Sequence, residues 1–140
     1  EFRRVLFRSW FDGQAKEAAT FYCSFFPNSK VISENAMVVL YELNGNKFMG
    51  LNGGPNFKFN EAISIVVDCE TQEEIDYYWN KLTEGGEERN CGWLKDKYGM
   101  SWQIVPTILG KLMSDPNNSQ KVMEAFMQMK KFDIEKLLNG

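Results

Sequence analysis

The sequence has 140 residues, a formal net charge of −3, and 44% hydrophobic and 25% charged residues, as expected of one globular domain with its own core. Its longest apolar stretch, Ala62–Val67, is too short to cross a membrane, and no basic run beyond the first residues suits nucleic acid. Histidine is absent, and Cys23, Cys69 and Cys91 show no C-x-x-C spacing, which argues against a zinc site. We expect reduced thiols in a cytoplasmic protein.

The first nine residues, Glu1–Ser9, require a separate interpretation. Arg4–Arg8 alternates apolar and basic residues, which would suit a genuine first strand. The whole segment also back-translates onto the end of a common short-read sequencing adapter. The adapter match is the stronger observation, so we predict an artefact over residues 1–9 and a single domain over residues 10–140. The natural start is then missing, and a lost targeting signal stays open.

Residues 10–60 form the first predicted module. Its helix begins after Asp12, a good N-cap, and ends before Pro27. Asn44-Gly45 is a strong hairpin signal, and Gly53-Gly54-Pro55 then breaks the chain. The predicted strands are Val31–Ser33, Met37–Leu43 and Lys47–Asn52.

Residues 61–106 form the second predicted module. Thr71 and Glu74 make a capping box for its helix, which Gly85-Gly86 terminates. Glu87-Glu88 is interpreted as solvated surface. The predicted strands are Ala62–Val67, Cys91–Asp96 and Ser101–Val105.

The two modules repeat one pattern. Both helices carry apolar residues at positions i, i+3, i+4 and i+7, and Gly45 and Gly99 occupy equivalent places in the later strands. The stripes are Ala19, Tyr22, Cys23 and Phe26, and then Ile75, Tyr78, Trp79 and Leu82. A duplicated strand–helix–strands unit predicts an α+β fold with two half-sheets facing each other around a cavity.

Residues 107–140 are predicted to form a helical tail. Asp115-Pro116 is typical of a helix start, and Asp133 should cap a last helix that buries Ile134, Leu137 and Leu138. Val122, Met123, Phe126 and Met129 form one apolar face. The methionines of the tail suit either an adaptable binding surface or, as we prefer, core packing.

Three segments carry a resemblance to a known family: Trp10–Ala15, Phe57–Ser64 and Cys91–Pro106. Together they resemble the PhnB-like family of the vicinal oxygen chelate, or glyoxalase-like, superfamily, historically labelled demethylubiquinone methyltransferase-like. The resemblance extends over residues 10–140. It implies two βαβββ modules followed by a helical extension, and a bacterial-type protein that commonly forms homodimers.

Enzymes of that superfamily hold a divalent metal with histidines and glutamates. The resemblance places three of the ligand positions on Met49, Ala62 and Gln103, and the fourth inside the adapter-like segment. A thioether, a methyl group and a carboxamide are poor ligands for such a metal. We therefore expect no metal and no cofactor, and the methyltransferase label finds no Gly-rich phosphate loop to support it.

The resemblance also places a ligand pocket at Met49, Ser64, Cys91, Trp93 and Gln103. Apolar walls with a few polar groups are typical of small-molecule sites, although the same residues could simply fill the space between the sheets. In the first case, a small and largely uncharged molecule would lie against Trp93 and bond to Gln103. A buried Gln103 would otherwise need water or a neighbour such as Ser64.

No residue can be assigned a catalytic role from the sequence. Cys91 could act as a nucleophile only with a base or cation, and Lys95 is the cation considered for this role, so a buried apolar role is favoured. Three function classes stay open. They are a small-molecule-binding protein, a metal-independent enzyme acting on a small metabolite, and an interaction module that uses the tail.

Overall fold

The computed structural model describes residues 6–139, and within them the chain forms eight strands and five helices. The strands are β1 (Phe7–Phe11), β2 (Lys30–Glu34), β3 (Val38–Leu43), β4 (Asn46–Asn52), β5 (Ser64–Cys69), β6 (Glu87–Glu88), β7 (Trp93–Lys95) and β8 (Ser101–Pro106). The helices are α1 (Ala15–Cys23), α2 (Gln72–Thr83), α3 (Ile108–Ser114), α4 (Ser119–Phe126) and α5 (Ile134–Asn139). The chain divides into two compact units, one ending at Phe59 and the other beginning at Asn60.

The first unit contains one helix and a four-stranded sheet in the order β1-β4-β3-β2. Strands β1 and β4 run parallel and the other neighbours run antiparallel. Alternate side chains of β3 are buried with α1, as the period of a strand requires. Asn44 and Gly45 both have positive φ in the two-residue loop between β3 and β4, which confirms the predicted hairpin.

Helix α1 begins later than the sequence predicted. Asp12 is not its cap, because Gly13 has a φ of +80° and turns the chain before the helix starts at Ala15. The Ala15 N–H instead donates to Asn52 Oδ1 over 2.9 Å. The cap comes from the end of β4, so no signal near Asp12 could reveal it.

The second unit repeats the topology, with the sheet order β5-β8-β7-β6 and a parallel β5–β8 pair. Glu74 N–H donates to Thr71 Oγ1, as the capping box predicted. The stripe of α2 buries Ile75, Trp79 and Leu82. Trp102 and Ile104 of β8 are also buried, and α2 contacts this strand.

Two strand predictions in this unit need correction, and one strand was not predicted. Strand β5 begins at Ser64, while Ala62 lies exposed in a turn. Strand β7 begins at Trp93, because Cys91 and Gly92 both have positive φ and cannot continue a strand. Glu87-Glu88 is exposed, as interpreted, and also pairs as the short strand β6 with β7, which was not predicted.

The helical tail buries one apolar residue each from α4, from α5 and from the loop between them. Val122, Phe132 and Leu137 are buried, whereas Leu138 is exposed, contrary to the prediction. Gln72 of α2 binds the segment that leads into α5. Its Nε2 donates to Phe132 O, and its Oε1 accepts from Ile134 N–H. Asp133 caps α5 as expected, but α4 begins at Ser119, after a turn that contains Pro116.

The observed architecture confirms the predicted α+β class, with two four-stranded sheets, their helices and a helical C-terminal extension. Phe7–Ser9, the last part of the adapter-like segment, lies in β1, while residues 1–5 of that segment lie outside the described residues. Among the described helices, none is both long and apolar enough to span a membrane.

Candidate functional site

One face of the second sheet carries most of the polar side chains predicted for the site. Strand pairing aligns two rows across this face, which we call the polar face. The first row is Arg89, Trp93, Gln103 and Val66, and the second is Glu87, Lys95, Ser101 and Ser64. Residues paired in register share one side of a sheet, so these side chains project together.

Gln103 is the half-buried centre of the polar face. Its Nε2 donates to Ser64 Oγ over 2.8 Å. Among residues 6–139 its Oε1 has no hydrogen-bond partner, and one amide hydrogen also stays unused. The carboxamide therefore keeps one acceptor and one donor for another molecule.

Trp93 is the direct neighbour of Gln103 on β7 and is also half-buried. Its backbone is fixed by two hydrogen bonds, from Arg89 N–H to Trp93 O and from Trp93 N–H to Asn90 O. Within the described part of the chain, its indole N–H has no hydrogen-bond partner. The ring thus combines an apolar surface with an available donor.

A surface depression of about 690 Å³ adjoins Trp93. This volume lies within the range of small-molecule sites. Six polar residues line it together with Trp93: Glu61, Glu87, Glu88, Arg89, Asn90 and Lys130. Of the predicted pocket residues, Trp93 alone lines this depression.

Ion pairs organise the depression. Glu61 Oε1 lies 2.6 Å from Arg89 Nη1 and 3.7 Å from Lys95 Nζ, and Glu87 Oε2 lies 3.6 Å from Arg89 Nη2. The pKa of the Glu61 carboxyl is lowered, first by a hydrogen bond from its own backbone and then by the charge of Arg89. Arg89 Nε is buried without a hydrogen-bond partner among the described residues.

The remaining predicted pocket residues lie elsewhere. Met49 is in the first unit, on β4 between Leu40 and Arg8 of the neighbouring strands. Cys91 lies before β7, where its Sγ is 3.9 Å from Met127 Sδ and its N–H donates to Met129 O. The structure therefore brings Ser64, Trp93 and Gln103 together on one face, with Cys91 against the tail.

Two of the three thiols lie in environments that do not favour a nucleophile. Burial raises the pKa of Cys69 to about 12 and also raises that of Cys23. Both groups are therefore held as thiols, which are poor nucleophiles. The raised pKa values of Cys69 and Cys23 therefore give no support to a catalytic role for either thiol.

The residues at the superfamily's metal-ligand positions do not fit a divalent metal. Met49 offers a thioether and Gln103 a carboxamide, while the side chain of Ala62 has no atom that could bind a metal. The position beside Met49 on β1 is held by Arg8, a cation. Across residues 6–139, no group of three or more Cys, Asp or Glu side chains is placed to hold a metal ion.

Arg89, Glu61 and Lys130 were missed by sequence reasoning. Arg89 follows two glutamates in a polar segment, where a charged residue usually marks solvated surface. Its partner Glu61 is far away along the chain, and Lys130 is in the tail. Only the predicted importance of Trp93 pointed to this region.

The sequence family described as 3-demethylubiquinone-9 3-methyltransferase matches residues 4–105. The chain belongs to this family. The match begins inside the adapter-like segment and ends before the tail, whereas the resemblance was expected to continue through residue 140. No curated protein matches the chain.

Several solved structures share the glyoxalase-like fold of this chain. PhnB protein from Bacillus cereus is 32% identical, with a TM-score of 0.69, over 75% of this chain and 100% of that one. Protein PA1353 from Pseudomonas aeruginosa is 17% identical, with a TM-score of 0.62, over 75% of this chain and 98% of that one. Fosfomycin resistance protein FosX from Listeria monocytogenes is 14% identical, with a TM-score of 0.58, over 79% of this chain and 98% of that one.

Proposed function

We propose that the protein binds a small organic molecule on the polar face of its second sheet, without the metal of its superfamily. One observation carries this proposal: Trp93 and Gln103 are direct cross-strand neighbours, and both keep hydrogen-bonding groups unused within the described residues. An apolar ring beside an available carboxamide is a common pattern in ligand sites.

The same observation argues against a purely structural role. A side chain that only fills a core is fully buried, as Trp79 and Trp102 are, and each of these indole N–H groups donates to a carboxylate. Trp93 is half-buried and has no such partner in the described part of the chain. Its environment differs from those of the two core tryptophans of the same unit.

The family description mentions methyl transfer, which these residues do not support. A nucleotide-type cofactor would need a glycine-rich loop leading from a strand into a helix. The β1–α1 connection holds one glycine, Gly13, and the β5–α2 connection holds none. We therefore favour binding, with a metal-independent reaction on a small metabolite as its extension.

A second candidate function is an interaction module that uses the tail. Met123, Met127 and Leu138 are exposed there, and flexible methionines suit adaptable surfaces.

We also propose a homodimer, because each sheet ends in edge strands that would be stabilised by pairing or cover. We propose a cytoplasmic location, because the three cysteines are free. Light scattering at micromolar concentration checks the dimer, and a monomer mass would reject it.

Capture of metabolites from a cell extract tests the binding function. The wild-type protein should retain a compound that Trp93→Ala and Gln103→Ala lose, while Tyr77→Ala, which changes an exposed aromatic residue of α2, should still retain it. Equal retention by all four proteins would reject the site. Conversion of the captured compound on incubation would add the enzymatic function to binding.

A further inference from the structure

The depression beside Trp93 has a charge pattern that restricts what it can bind. This inference rests on the proposed binding function and concerns the polar end of the ligand. Three carboxylates line the depression, from Glu61, Glu87 and Glu88, and two cations line it, from Arg89 and Lys130. Lys95, paired with Glu61, is a third cation and brings the formal charges into balance.

Most of these charges already interact within the protein. Glu61 is shared by Arg89 and Lys95, and Glu87 lies against Arg89. Glu88 Oε1 accepts a hydrogen bond of 2.6 Å from the Trp79 indole. A cationic ligand would therefore have to compete with Arg89 and Lys95 for Glu61 and Glu87, which is unfavourable. Among the described residues, an anionic ligand could meet only Lys130 without such competition, and it would lie among three carboxylates.

Uncommitted hydrogen-bonding groups are nevertheless available at the depression. Within residues 6–139, the Asn90 amide, the Trp93 indole N–H and the Lys130 ammonium group donate no hydrogen bond, and each carboxylate has a second oxygen. The lining therefore offers both donors and acceptors, and with Lys95 counted the formal charges at the depression balance. A neutral group that both accepts and donates, such as a carboxamide, matches it best.

We propose that the depression binds the neutral, amide-like polar end of a ligand whose apolar body lies on Trp93. Arg89, Glu61 and Lys95 act as positioning residues, because their mutual ion pairs hold the rim in place. Lys130 brings the tail into the site, so the tail contributes to recognition as well as to stability.

The test uses three probes that share one ring and differ in charge: benzamide, benzoate and benzylamine. The full chain, labelled with 5-fluorotryptophan, reports their binding through the ¹⁹F resonance of Trp93. Benzamide should bind about fivefold more tightly than either charged probe. Glu61→Gln should shift the preference toward benzoate, and Lys130→Met should shift it toward benzylamine, each by about threefold.

Glu17→Gln, on the exposed surface of α1 in the first unit, is the matched control and should leave the preference unchanged. Benzoate or benzylamine binding as tightly as benzamide would overturn this inference and leave the proposed function standing. An unchanged preference in both site variants would also overturn it. If no probe moves the Trp93 resonance and cell extract does not move it either, the proposed function fails as well.

Discussion

The two sheets have the same topology but carry unlike surfaces. In the first sheet, the face away from α1 aligns Arg8, Met49 and Leu40, and beside them Trp10, Leu51 and Val38. In the second sheet, the equivalent rows contain Gln103, Trp93, Arg89, Ser64 and Lys95. Duplication has therefore preserved the backbone while the side chains diverged, and the capacity for hydrogen bonding is concentrated in the second unit.

The two units carry different chemical groups at equivalent strand positions. Met49 and Gln103 occupy equivalent strand positions, at which the superfamily's enzymes carry metal ligands. One now presents a thioether and the other a carboxamide. The first unit can offer apolar contact, whereas the second can orient a ligand through hydrogen bonds. Substitutions in the two units sharpen this comparison.

The largest effect is expected from the core tryptophan of the second unit. Trp102 is buried and donates to the carboxylate of Asp96 over 2.9 Å. Trp102→Ala should lower the free energy of unfolding by about 3–5 kcal/mol, because it leaves a cavity and removes this hydrogen bond. Trp10→Ala in the first unit should lower the free energy of unfolding by less, because Trp10 is only half-buried. Equal losses in urea titrations would contradict the assignment of the core.

Two glycines with similar backbone angles should respond differently to alanine. Both Gly45 and Gly92 have φ near +80°. A Cβ at Gly92 would approach Phe132 to 2.3 Å, whereas nothing lies within 4 Å of one at Gly45. Gly92→Ala should cost about 3 kcal/mol and Gly45→Ala about 1 kcal/mol. Thermal unfolding of both variants checks the ratio, and similar costs would mean that the tail does not pack on Gly92.

A third change tests how the tail is attached to the second unit. Gln72 bonds to both Phe132 O and Ile134 N–H, so Gln72→Ala should cost about 2 kcal/mol and speed hydrogen exchange in α5. The control Gln120→Ala removes a longer and exposed contact with Glu124. It should change stability by less than about 0.5 kcal/mol. Unchanged exchange in α5 after Gln72→Ala would show that this clamp is dispensable.

The smallest effect concerns pH. Hydrogen bonds from Lys131 and Gln72 lower the pKa of Asp76, so its contribution to stability is present above the ordinary carboxyl pKa and is lost as pH falls through the lowered value. Asp76→Asn should lower the melting temperature slightly at neutral pH, and the difference from wild type should shrink on acidification. Asp12→Asn, at an exposed position, is the control. A constant difference across the acidic range would contradict this linkage.

Local signals predicted the elements that local interactions determine. Asn44-Gly45 forms the expected two-residue turn, and Thr71 caps α2 through Glu74. The apolar stripe that recurs in both units likewise indicates the duplicated topology, although α1 ends at Cys23 and Phe26, the last predicted position of the first stripe, lies beyond it. In each case, the decisive contacts lie within a few residues along the chain, where spacing alone carries the information.

Long-range interactions explain what the sequence could not reveal. Asn52 caps α1 from another strand, and β6 is a strand because Glu87-Glu88 pairs with β7, although its composition shows no apolar alternation. The candidate site has the same character, since Arg89 and Glu61 meet only after folding. Trp93 and Gln103 could be named as candidates from the sequence because the resemblance to a known family marks their strands.

The central claim is that a ligand contacts the polar face of the second sheet through Trp93. The chain has four tryptophans, so the ¹⁹F spectrum of 5-fluorotryptophan-labelled protein gives one resonance for each of them. Single Trp→Phe variants assign these resonances. On addition of fractionated cell extract, the account predicts the largest shift at Trp93 and its loss in Gln103→Ala. A shift confined to Trp10 in the first unit, or no shift at any tryptophan, would contradict it.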